Sequence, residues 1–142
     1  MVWNTRCGHA YRAWQVEVMR KPVLILAALY LAAIGLALIL VPLQFGTGAV
    51  PPDASPQLLA LLRLLGGPLL GIAVLNWLVR DAPPSATLRA VLAGNLVGFG
   101  AVALNDVHGV LSGEARELAK LFLVVHAGFA MLFLALVTRT RR

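Results

Sequence analysis

Charged residues are scarce in this sequence: they make up 13% of the 142 residues, whereas 60% are hydrophobic. Soluble domains carry about 25% charged and about 45–50% apolar residues. A chain this short has too little interior to hide such an apolar excess from water. In a bilayer the same surface can face lipid. The composition therefore excludes an ordinary soluble domain and predicts an integral membrane protein.

Cysteine is also nearly absent. Cys7 is the single cysteine, so an intrachain disulfide is impossible. The sequence contains no C-x-x-C-H, no H-E-x-x-H, no phosphate-binding loop and no cysteine cluster, which are the compact signatures of haem attachment, zinc hydrolysis, nucleotide binding and metal sites. We therefore expect a protein that is not an enzyme, with no metal site and no resident cofactor.

Long apolar runs are what the sequence does contain. Each of four runs is close to the ~20 residues that cross ~30 Å of hydrocarbon as a helix. The loops between them are short, so consecutive helices should pack as antiparallel neighbours. The predicted fold class is all-α, a four-transmembrane-helix antiparallel bundle. Its predicted spans are residues 22–43, 57–79, 88–111 and 118–138.

The arm before the first span, residues 1–21, has an amphipathic pattern. Its apolar and aromatic residues, Trp3, Tyr11 and Trp14 among them, share about 100° of a helical wheel. Indole rings prefer the headgroup boundary. We therefore expect an amphipathic interfacial helix on the cytoplasmic surface, ending at the proline that opens the bundle, residues 22–142. This arm either anchors to lipid or docks a partner protein.

Lysine and arginine are unevenly distributed between the two ends of the spans. Nine of the twelve lie in the arm, in the loop between the second and third spans, or after the fourth span. Because cytoplasmic loops are enriched in these residues, we expect both termini inside, in a bacterial inner membrane. We then attribute the net charge of +6 to contact with lipid headgroups, and no nucleic-acid partner is expected.

A few polar side chains fall within the spans, where they are costly and mark functional candidates. Arg63 and Asp106, on neighbouring spans toward the exterior, are predicted to form an ion pair that clamps the two helices. The alternative is a small polar pocket open to the outside. Asn76 and Asn95 predict an amide hydrogen bond between the same spans toward the cytoplasm.

Two histidines are candidate ligands for a lipophilic cofactor. His126 lies about two turns into the fourth span, and His108 lies near the outer end of the third. Either could ligate haem or a chlorophyll-type pigment, and the layer of Asn76 and Asn95 could contact a quinone. A hydrogen-bonded structural histidine is the simpler interpretation of both.

Glycines place small faces on the second and third spans. Gly67 and Gly71 share one face, as do Gly94 and Gly98. Such faces allow helix backbones to approach closely. They meet either inside the bundle or between copies of the chain.

Four short stretches carry a resemblance to known proteins: residues 36–42 (LALILVP), 62–71 (LRLLGGPLLG), 75–83 (LNWLVRDAP) and 94–98 (GNLVG). They resemble small bacterial four-helix membrane proteins of the broad DoxX-like group. The resemblance implies a four-helix membrane fold and a loose link to quinone or thiol redox chemistry. It carries no catalytic residues onto this chain.

Three functions are open at this point. The first is a non-enzymatic accessory or structural subunit of a larger membrane complex, because recognisable chemistry is absent and the arm suits docking. Its partners would be the bilayer and other membrane subunits, or further copies of the chain. The second is a binder of a lipophilic cofactor (quinone, haem or pigment) or of a lipid. The third is a small oligomeric transporter.

Overall fold

The structure, a computed structural model, describes the backbone of residues 3–139 and the side chains of residues 18–139. The described backbone consists of helices and turns and contains no β-strand. The helices are α1 (Trp3–Leu40), α2 (Pro42–Phe45), α3 (Pro56–Val79), α4 (Ala86–Ser112) and α5 (Ala119–Arg139).

Within the described residues, four helical segments are long and apolar enough to cross a membrane. Many of their apolar side chains stay exposed, including Leu104, Leu111 and Met131, at 72%, 82% and 72% of their surface. Such a surface is suited to contact with lipid. The expectation of four membrane-crossing helices is confirmed at this level, with ends within about one turn of those predicted. The segments are Val18–Leu40, Pro56–Val79, Ala86–Ser112 and Ala119–Arg139.

Short local signals set the ends of α3 and α4. The Ser55 hydroxyl accepts a hydrogen bond from the Leu58 amide (3.2 Å), and the Ser85 hydroxyl accepts one from the Leu88 amide (3.1 Å). Each bond satisfies an amide that has no partner within its own helix. At the other end of α4, Gly113 adopts a left-handed conformation with φ 73°, which ends the helix.

Helix α1 differs from the prediction at its N-terminal side. The sequence predicted a separate surface helix ending at Pro22, whereas α1 runs without interruption through Pro22. A proline inside a helix removes one backbone donor, yet membrane helices tolerate this loss where neighbouring groups compensate. The side chains of Trp3, Tyr11 and Trp14 lie outside the described residues.

The helices associate mainly as two pairs. Helix α1 packs along α3, and α4 packs along α5. Contact between α1 and α5 is smaller, and α3 and α4 make little contact with each other. The two pairs are therefore joined on one side and separated on the other.

Polar contacts identify the two ends of the bundle. We call base the end at which Lys21 Nζ lies 2.7 Å from Asp81 Oδ1. We call top the opposite end, at which Arg116 Nη1 donates to the carbonyl oxygens of Phe45 (2.8 Å) and Thr47 (2.7 Å). Both α4 and α5 extend from the base to the top.

Glycine permits the close contact of α1 with α3. A Cβ at Gly35 would lie 2.9 Å from the carbonyl oxygen of Gly66, and a Cβ at Gly66 would lie 2.6 Å from that of Gly35. No larger residue fits at either position without moving backbone. A Cβ at Gly67 or Gly71, in contrast, would meet no heavy atom within 4 Å among the described residues. The small face predicted there does not meet another helix in the part of the chain that the structure describes.

The buried core lies near the base, where α1, α4 and α5 converge. The side chains of Leu24, Leu92 and Phe133 have no exposed surface at all. The interior between α3 and α4, by contrast, is not filled by side chains. The core is formed by Val23, Leu24, Ala27, Leu31, Ala73, Leu88, Leu92, Phe99, Phe133, Leu136 and Val137.

Candidate ligand-binding groove

A groove of about 730 Å³ lies between α3 and α4 and is open on one side. It exists because these two helices make little contact, while α1 forms its floor and residues of α5 close it toward the top. Its walls are almost entirely apolar. The polar side chains that reach it, among the described residues, are Tyr30, Asn76, Thr87, Asn95, Asp106, Arg116 and His126.

Three of these side chains form a continuous hydrogen-bonded chain. Tyr30 Oη lies 2.7 Å from His126 Nε2, and His126 Nδ1 lies 2.6 Å from Asp106 Oδ2. They come from α1, α5 and α4, so the chain joins the two helix pairs. The side chains of His126 and Asp106 are only 13% and 14% exposed. This chain is the most polar feature of the groove wall.

Aromatic rings surround the imidazole of His126. The Phe122 ring is stacked on it at 6.0 Å between centroids, and the Phe99 ring lies 6.2 Å away. The Tyr30 ring meets it edge-on at 5.7 Å. These rings restrict the orientation of the imidazole, so its two hydrogen bonds are held in a fixed direction.

The Tyr30–His126–Asp106 chain changes the interpretation of His126 as a metal ligand. Both ring nitrogens are occupied by hydrogen bonds. Coordination of a haem iron or a pigment magnesium would require one of these bonds to break. The other candidate, His108, is exposed and does not line the groove. In this arrangement His126 therefore has no free ring nitrogen for a metal.

The amide contact expected between Asn76 and Asn95 is present. Asn76 Nδ2 donates to Asn95 Oδ1 (2.8 Å), and Asn95 Nδ2 donates to Asn76 Oδ1 (2.7 Å) and to the Val91 carbonyl (2.9 Å). Asn76 has no exposed surface, and Asn95 is 5% exposed. This reciprocal pair is the main direct link between α3 and α4, and it borders the groove.

The predicted ion pair of Arg63 with Asp106 is not formed. Asp106 bonds to His126 instead, and Arg63 makes no ion pair with any described side chain. The reason is the separation of α3 from α4, which the sequence suggested were close neighbours. Arg63 is exposed, and its long side chain can place its charge toward the headgroups.

Two contributors to the groove were missed at the sequence level. Tyr30 is the one ionisable side chain of the first predicted span, which was a usable signal. Arg116 had no such signal, because it lies in a turn beside other charges. Its guanidinium carbon lies 5.7 Å from the ring centroids of both Phe45 and Phe122, so it closes the groove at the top.

Gly94 and Gly98 contribute to the width of the groove because they have no side chains. Both line the groove, and a Cβ at either would meet no heavy atom within 4 Å among the described residues. Close packing of this pair against another helix is therefore not found among the described residues. Their missing side chains widen the groove instead.

No family model, curated protein or solved structure matches this chain, so the assignment of the groove depends on its own geometry.

Proposed function

We propose that this protein is a multi-pass membrane protein that binds a lipophilic molecule in the groove between α3 and α4. The observation that carries the proposal is a groove of about 730 Å³ whose apolar walls converge on the Tyr30–His126–Asp106 chain. Small-molecule sites typically measure about 300–1,000 Å³ and combine apolar walls with a few placed polar groups. The groove has this character, and its open side gives a molecule dissolved in the bilayer direct access.

The proposed architecture is an antiparallel bundle with its base in the cytoplasm of a bacterium. Side-chain pairing supports the antiparallel arrangement: Asp106 of α4 meets His126 of α5, while Phe99, earlier in α4, meets Phe133, later in α5. The excess of Lys and Arg at the base supports the orientation. Reporter fusions at residues 50 and 113 should score as external, and a fusion at residue 82 as internal.

The ligand proposal is tested by analysing what purifies with the protein. Organic extraction and mass spectrometry should detect a lipophilic species at near-stoichiometric amount, above the level of bulk lipid. The variant Val102→Trp places an indole in the groove and should lower this amount at least tenfold. Val97→Trp is the matched control, since Val97 is 70% exposed on α4 and does not line the groove. Equal ligand content in both variants would contradict the proposal.

A place in a larger membrane complex stays a second proposal. The free small face of Gly67 and Gly71 on α3 supports it, since such faces commonly receive another helix. Native mass spectrometry from mild detergent should reveal a partner subunit or a second copy. A lone monomer would count against it. Liposome flux above that of empty vesicles would instead favour a small transporter.

A further inference from the structure

We propose that Arg20, at the base of the bundle, binds the phosphate of an anionic phospholipid headgroup. This site is separate from the groove between α3 and α4, and it does not depend on the function proposed for that groove. Two observations carry the inference. The guanidinium of Arg20 is buried without a partner among the described residues, and the described cations at the base outnumber the carboxylates.

Arg20 lies on the buried face of α1. Leu24, one turn later on this face, has no exposed surface, and Arg20 itself is only 5% exposed. Arginine is almost never buried to this degree unless it is paired, and its guanidinium stays protonated in proteins. The packing of the helices therefore holds a permanent positive charge at the end of the apolar core.

The described part of the chain offers this guanidinium no acceptor. The Nε of Arg20 is enclosed and makes no hydrogen bond, and no described carboxylate lies within ion-pair distance of the side chain. The two terminal nitrogens also lack a partner there, but they are not enclosed as Nε is. An anion from outside the chain can therefore reach them.

Asp81, the nearby carboxylate, is already paired with other cations. Its Oδ1 lies 2.7 Å from Lys21 Nζ, and its Oδ2 lies 3.3 Å from Arg80 Nε. The hydrogen bond from Lys21 and, to a smaller extent, the charges of Lys21, Arg80 and Arg20 lower the pKa of the Asp81 carboxyl. Three cations thus surround one carboxylate, and Arg20 is the one without an ion pair.

The rest of the base adds positive charge. Arg89 of α4 and Arg139 of α5 form no ion pair with a described residue, and Asp81 is the one acidic residue at the base among those described. Basic pockets between membrane helices bind the headgroups of anionic lipids. An anionic headgroup supplies the missing negative charge, whereas the choline of a zwitterionic headgroup brings a further positive one.

The position of Arg20 indicates a lipid as the source of the phosphate. Arg20 lies two residues inside the apolar segment Val18–Leu40, close to the end of that segment, where headgroups meet the chain. A phosphate and a guanidinium match each other in geometry, because two parallel N–H groups can donate to two phosphate oxygens. The terminal nitrogens of Arg20 are the donors that such a headgroup can reach.

The site is tested by thermal unfolding of the full chain, purified in neutral detergent, freed of bound lipid and titrated with phosphatidylglycerol. The midpoint of the parent should rise as this lipid is added, since a ligand that binds the folded state stabilises it. Arg20→Met should be at least as stable as the parent without lipid, because an unpaired buried charge is removed. Its midpoint should no longer rise with phosphatidylglycerol.

Arg89→Gln is the matched control, since Arg89 is an exposed arginine at the same end of the bundle. It removes one positive charge, as Arg20→Met does, and should keep the response of the parent. Arg20→Lys keeps the charge but loses the paired donors, so it should need about tenfold more lipid for the same rise. Equal loss of the response in Arg20→Met and Arg89→Gln overturns the proposal, because it shows unspecific attraction.

Three further results would contradict the proposal. A rise of the parent's midpoint with glycerol phosphate equal to that with phosphatidylglycerol assigns the site to a soluble phosphate. An equal rise with phosphatidylcholine removes the requirement for an anionic headgroup. If Glu17, whose side chain lies outside the described residues, is the counter-ion of Arg20, Glu17→Gln will destabilise the lipid-free protein and the parent will not respond to phosphatidylglycerol.

Discussion

The core near the base and the groove between α3 and α4 use similar side chains in different ways. In the core, Phe133 is fully buried and stacks on Phe99 with ring centroids 5.8 Å apart. Along the groove, Phe45 and Phe122 are half-buried and border open space. In lipid, an apolar side chain gains little by moving from hydrocarbon to protein, so association depends on close packing and polar contacts. A bundle can therefore be tightly packed in one region and open in another.

The two helix pairs are held together both by the apolar core and by hydrogen bonds. Among the described residues, hydrogen bonds that connect the pairs join Tyr30 to His126, Asn76 to Asn95, Arg116 to the carbonyls of Phe45 and Thr47, and Arg139 to Met19 at the base. The groove is thus bordered by polar links whose loss should be felt differently from the loss of core packing.

The largest expected effect comes from truncating the same residue type in both regions. Phe133→Ala should destabilise the protein by about 3 kcal/mol, because it leaves a closed cavity in the core. Phe122→Ala only enlarges a space that is already open and should cost less than about 1 kcal/mol. Unfolding in mixed micelles measures both. Equal costs would show that the two regions are packed alike.

A smaller effect is expected from the hydrogen-bonded chain. Asp106→Ala leaves His126 Nδ1 without its partner and should cost about 2 kcal/mol, the usual range for an unpaired buried group. Asn105→Ala, at the exposed neighbouring position of α4, is the control and should lie within about 0.5 kcal/mol of the parent. If the two variants have the same free energy of unfolding, the Tyr30–His126–Asp106 hydrogen bonds do not help to join the helix pairs.

The amide pair should contribute less again. Asn76→Ala and Asn95→Ala should each cost about 1 kcal/mol, typical of a hydrogen bond between membrane helices. Since each variant already breaks the reciprocal bonds, the double variant should cost clearly less than the sum of the two. Strict additivity would mean that the two amides act independently.

The weakest effect is expected at the base, in an exposed ion pair. The hydrogen bond from Lys21 lowers the pKa of the Asp81 carboxyl below its usual 3.8. A carboxyl whose pKa is lowered by folding stabilises the folded state above its usual pKa, and this contribution is lost as the pH falls through the lowered value. Asp81→Asn should therefore flatten the decline in unfolding midpoint below about pH 4. If the unfolding midpoint of the variant falls as steeply as that of the parent, the ion pair of Lys21 with Asp81 does not stabilise the folded state.

The spans and the asparagine pair could be predicted because they depend on local properties. Hydropathy and length define a span, and Asn76 and Asn95 are buried amides on consecutive helices. The partner of Asp106 could not be predicted in this way. Both Arg63 and His126 lie at a suitable depth, and the choice between them depends on which helices touch. The separation of α3 from α4 decides it, and no feature of the sequence reports that separation.

The uninterrupted passage of α1 through Pro22 has a consequence for how deep the bundle sits. Pro22 has no N–H, so the carbonyl of Val18, four residues earlier, loses its helical donor. An unpaired carbonyl costs several kcal/mol in hydrocarbon, and this point of α1 is therefore held where water or a headgroup can reach it. Because α1 is packed along α3 and forms the floor of the groove, the position of Pro22 also sets the height of the groove relative to the headgroups.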